Sequence, residues 1–133
     1  MRRDMDLCRM ILFYIEENYS AGSRLINISL NGYTNSEIYE HCKLLYEAGL
    51  IQEFNDISTT MGERQCMVGN LSNKGYDLLD SIRQDTIWNK TKSTIKEKGL
   101  PLVLDTIKTV AVTLISVATE GVANSIIKNG GQV

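Results

Sequence analysis

Apolar residues along this chain change their spacing several times, and each change marks an element. Leu7, Ile11, Tyr14 and Ile15 recur at helical spacing, which predicts a first helix over 4–19 that Asp4 or Asp6 can start. Asn18, Ser20, Gly22 and Ser23 break it. Leu25 to Leu30 alternates as a short strand, ended by Asn31-Gly32. Thr34 and Glu37 then stand at capping-box spacing before a helix over 34–48, whose Ile38, Cys42 and Leu45 share one face. Leu50 to Ile57 and Gln65 to Leu71 are predicted as the strands of a hairpin, joined through Ser58 to Gly62. Ser72 is placed to cap a long helix through Leu78, Leu79 and Ile82 towards Lys98, with Gly75 weakening its first turn. Gly99 and Pro101 separate that helix from a last one.

A helix that closes at Gly49 and leads into an apolar strand has the order in which a helix-turn-helix hands over to a wing. The expected fold class is α+β: a winged-helix-like domain (helix, strand, helix, β-hairpin wing, long helix) over 1–98. An apolar C-terminal helix over 99–128 and a flexible tail over 129–133 follow it.

In that last helix Val103, Ile107, Val110, Leu114, Val117 and Gly121 keep a four-three rhythm, as in a coiled-coil seam. Leu104, Ala111, Ile115, Ala118 and Val122 form a second row beside it. Two apolar faces must both be buried. The expectation is a homo-oligomer held by Ile107, Val110, Leu114 and Val117, with packing inside one chain as the alternative. Glu120 interrupts the apolar run well short of the roughly 20 residues a membrane span needs.

Composition narrows the field further. The chain has 133 residues, 43% of them apolar, and a net charge of -2, so no excess of cations draws it to nucleic acid. Cys8, Cys42 and Cys66 form no CxxC pair and suit a reducing compartment as small buried hydrophobes. Acidic residues interrupt the N-terminus before any signal core, so a cytoplasmic location is expected.

Three stretches, MRRDMDLCRMIL, GYTNSEIYEHCKLLYEAGLI and LSNKGYDLLDSIRQDTIWNK, agree in order and spacing with one family. Over residues 1–95 the chain resembles the bacterial and phage-borne family catalogued as domain of unknown function twenty-five-thirteen. Asp85-Thr86-Ile87-Trp88 fits its pattern, whereas Ser72 stands where Thr, and Tyr76 where His, is common. The resemblance implies a winged-helix-like fold and a prophage context. It brings no catalytic residues, and it leaves the last helix unexplained.

The helix before a wing commonly enters the major groove. Here the side chains away from its apolar face include Ser36, Glu37, Tyr39, Glu40, Lys43, Tyr46 and Glu47, a carboxylate-rich set that repels phosphate. Tyr39, Glu40, Lys43, Tyr46 and Glu47 are therefore expected to form a partner-binding surface for another protein. The second reading is a DNA-binding regulator using Lys43, Arg64, Lys90 and Lys92. His41 beside Cys42 has no second ligand pair at metal-site spacing, and no acid-base motif or phosphate loop occurs. A non-enzymatic adaptor or inhibitor with no cofactor and no metal is expected.

Overall fold

The computed structural model describes the backbone of residues 1–130 and the side chains of residues 1–119. Gly121 and Val122 of the apolar rows, and 131–133 of the expected tail, lie outside the described residues. Among the described residues the chain is mixed α+β: five helices and one antiparallel hairpin. Contacts gather it into two compact units, Met1–Leu79 and Asp80–Val133, each taken by itself below.

In the first unit α1 (Met5–Asn18) starts at Asp4, whose carboxylate accepts the Leu7 amide at 3.1 Å. Leu7, Ile11, Leu12 and Ile15 are buried along it. α2 (Asn35–Glu47) opens with the expected capping box: Thr34 Oγ1 accepts the Glu37 amide and Glu37 Oε1 accepts the Thr34 amide. It ends in a Schellman arrangement, with Leu50 N–H donating to Leu45 O and Gly49 N–H to Tyr46 O. Gly49 takes the left-handed φ of +79° that this ending requires.

β1 (Phe54–Asp56) pairs with β2 (Cys66–Val68) in the register Phe54↔Val68, Asn55↔Met67, Asp56↔Cys66. The pairing is shorter than the sequence suggests, and beyond it Ile51 makes an isolated bridge to Leu71. The strand expected over Leu25–Leu30 is reduced to one bridge, in which Ile26 and Val68 exchange amide–carbonyl bonds of 2.8 and 2.9 Å. Ile26 thus lies on the other side of β2 from β1. Ser72 begins α3 (Asn73–Ile82), its Oγ accepting the Gly75 amide at 3.1 Å.

The long helix predicted from Ser72 to Lys98 is two helices, which corrects that reading. α3 stops at Ile82, and α4 (Asp85–Glu97) restarts after Gln84, which is extended at φ -79° and ψ 132°. Asp85 in the first turn complements the new N-terminus. In the second unit Trp88, Thr91 and Ile95 form the buried stripe of α4, which packs on α5 (Leu104–Gly130) around Ile107 and Ala111. Gly99, at φ +64°, ends α4 as Gly49 ends α2.

Candidate functional site

The residues expected to bind a partner lie on α2, beside the hairpin that carries Arg64. Phe54 of β1 stands between two tyrosines of α2. Its ring meets Tyr39 edge-on at 5.2 Å and stacks with Tyr46 at 6.0 Å. The Tyr39 hydroxyl donates to Asp56 Oδ2 at 2.9 Å. Arg64, across the hairpin, sits 3.7 Å from the same carboxylate, its guanidinium 5.8 Å from the Tyr39 ring centroid.

Tyr39 is thus not an exposed contact residue. It is only 6% exposed and ties helix to hairpin. Helical spacing turns it away from Ile38, Cys42 and Leu45, but β1 arrives against that flank of α2 and covers it. Tyr46, at 44% exposure, remains available, as do Lys43 and Glu47, and Glu40 is half-buried. Arg64 keeps an open side chain, yet its charge faces Asp56.

Asp56 is held at about 2, below the usual carboxylate range. The Ser58 side chain contributes most, followed by the Ser58 amide, which donates to Oδ1 at 2.8 Å, then the Tyr39 hydroxyl and Arg64. Depression of a folded-state carboxyl pKa means a contribution to stability present above about pH 4 and lost as pH falls through about 2. The Asp56 carboxyl carbon should titrate near pH 2 by NMR, and Tyr39→Phe should move that midpoint upward. An unmoved midpoint would mean that the hydroxyl makes no such bond in solution.

His41, the chain's single histidine, is 2% exposed and carries structure. Its Nδ1 bonds the Glu37 carbonyl at 2.7 Å, and its Nε2 accepts the Asp4 amide at 2.9 Å. The ring therefore stitches α2 to the start of α1. Among the described residues no group of three or more His, Cys, Asp or Glu is placed to hold a metal ion.

In the second unit Lys90 is exposed, and Lys92 lies half-buried with Nζ 5.3 Å from the Trp88 ring centroid. Of the expected seam, Ile107 is buried at 1% exposure inside its own unit, whereas Val110 and Leu114 are half-buried. Val117, at 61%, is open, and so is Val112 at 44%, a position outside both apolar rows. An open cleft in this unit is lined by Ile87, Ile115 and Ala118 together with polar residues that include Asp80 and Arg83. Among the described residues no helix is long and apolar enough to cross a membrane.

Fold and surface together define a mixed α+β protein in which a capped helix is tied to a hairpin by an aromatic and carboxylate network. The chain belongs to the family described as "Hypothetical protein (DUF2513)", whose model matches residues 2–101. It is also 40% identical over 116 residues to an "Uncharacterized protein" of Haemophilus influenzae, covering 87% of this chain and 97% of that one. No solved structure matches. The family match ends before α5 begins.

Proposed function

We propose that this chain is a non-enzymatic, prophage-type binding protein with a winged-helix-like domain. It acts as a homo-oligomeric adaptor or inhibitor of another protein, such as a host or phage-defence factor. The observation that carries this reading is the charge left available around α2. Glu47 is exposed beside Tyr46, Glu37 is exposed at the start of α2, Lys43 is the helix's one cation, and Arg64 of the hairpin faces Asp56. Phosphate binding needs uncommitted cations, whereas an open tyrosine among mixed charges suits a protein partner. The winged-helix assignment draws support from the order α1, Ile26 bridge, α2, hairpin, with Ile26 and β1 on opposite sides of β2. Self-association draws support from the apolar side chains of Val112 and Val117 left open on α5.

One set of measurements tests the proposal. Generic duplex DNA at low ionic strength should show no retardation, and light scattering at micromolar concentration should give more than a monomer's mass. Val117→Asp should lower that mass while the helical circular dichroism is kept. DNA retardation abolished by Lys43→Glu and Arg64→Glu would establish the regulator reading in its place. A monomeric wild-type chain would remove the oligomer.

A further inference from the structure

Three cysteines converge inside the first unit, one each from α1, α2 and β2. Cys8 is 3% exposed, Cys42 0% and Cys66 6%, and all three are free thiols. They are not equivalent. Cys42 lies on the buried face of α2 with Ile38 and Leu45, and its thiol is hydrogen-bonded to that of Cys66 on the inward face of β2. Cys66 also borders a crevice of about 40 Å³ formed with Asn27, Ile28, Asn35, Ile38 and Gln65. That space suits a molecule about the size of water. Cys42 is not among the residues that line it.

We propose that Cys42 and Cys66 form an oxidation site for small hydroperoxides, in which Cys66 is the attacking sulfur and Cys42 the resolving one. The Cys66 thiolate attacks one oxygen of hydrogen peroxide, and the O–O bond breaks to leave hydroxide. That hydroxide takes up the proton given by the Cys66 thiol, and Cys66 becomes a sulfenic acid. The Cys42 thiol then loses its proton, its sulfur bonds to Cys66, and the S–O bond breaks with departure of water. In sum two thiols and one peroxide give one disulfide and two waters, with two electrons passing from sulfur to peroxide. The product would fasten α2 to the hairpin beneath the Tyr39–Asp56 network.

The electrostatics agree with these roles. The bond from Cys42 holds the Cys66 thiol below its ordinary range, against the effect of burial. Cys42, as the donor, is pushed upward by the same bond and by its burial. Burial, with Asp4 nearby, pushes Cys8 up to about 12, which leaves it a poor nucleophile.

The test uses the reduced full-length chain. It is treated with equimolar hydrogen peroxide, then unfolded and labelled with N-ethylmaleimide for intact mass and peptide mapping. The expected product has lost two hydrogens, carries a single maleimide on Cys8 and gives a Cys42–Cys66 linked peptide. Cys8→Ser keeps both partners and should cross-link as fast as the wild type. Cys42→Ser should leave a Cys66 sulfenic acid that dimedone captures, and Cys66→Ser should leave Cys42 unoxidised. Three cysteines oxidised at equal rates, a link that includes Cys8, or no reaction in either the wild type or Cys8→Ser would overturn the assignment.

Discussion

Gly75→Ala is expected to destabilise the protein by about 3 kcal/mol or more, a large fraction of the stability of a domain this size. In most helices this exchange is favourable, because alanine is the better helix former by about 1 kcal/mol. Here the sign reverses. A methyl group on Gly75 would overlap the Leu50 carbonyl oxygen and press on Leu71 Cβ, at 3.3 Å. Neither can give way cheaply. The Leu50 carbonyl accepts the Ser72 amide at 2.9 Å, and the Leu50 amide closes the end of α2 at Leu45. Leu71 is buried at 1% exposure. Urea unfolding should show the midpoint falling sharply with little change in slope. A stability equal to or above that of wild type would mean that α3 does not approach the end of α2 this closely.

Replacing His41 by alanine should cost about 3 kcal/mol, through a cavity in a closed site and an Asp4 amide left without its acceptor. Because that amide belongs to the cap residue of α1, the loss should also reach the first turn of the helix. Hydrogen exchange at Leu7 and Cys8 should therefore accelerate more than exchange in α4. His41→Phe separates the two contributions: it refills the space but cannot accept the Asp4 amide, and about 1–3 kcal/mol of the loss should persist. Full stability in both variants would assign the histidine to some role other than this bond.

These effects show where the sequence can and cannot be read. The Thr34–Glu37 capping box is local chemistry between residues three apart, and it occurs as the spacing predicts. The Gly49 ending is local in the same way. Gly75 appears in the sequence only as a weak helix residue, because the carbonyl it makes room for belongs to Leu50, which precedes the whole hairpin in the chain. His41 has no readable role until Asp4 is brought against it. The long helix from Ser72 to Lys98 failed as a prediction because periodicity records which residues are apolar and not where the backbone leaves helical geometry, as it does at Gln84. The signal that could have located the break was Asp85-Thr86, helix-start residues inside the run.

By itself, then, the chain determined its mixed α+β class, the Thr34 and Ser72 caps, the place of its hairpin and the family to which it belongs. All of these rest on contacts between near neighbours or on matching segments. Packing alone decided that Tyr39 turns inward to Asp56, that Arg64 faces the same carboxylate, that Ile107 is covered while Val117 is open, and that Cys42 meets Cys66. Tyr39–Asp56 and Cys42–Cys66 each join α2 to the hairpin, and Arg64 meets Asp56 only once the hairpin has closed. Their contacts depend on how two surfaces fit, which no spacing along the chain encodes.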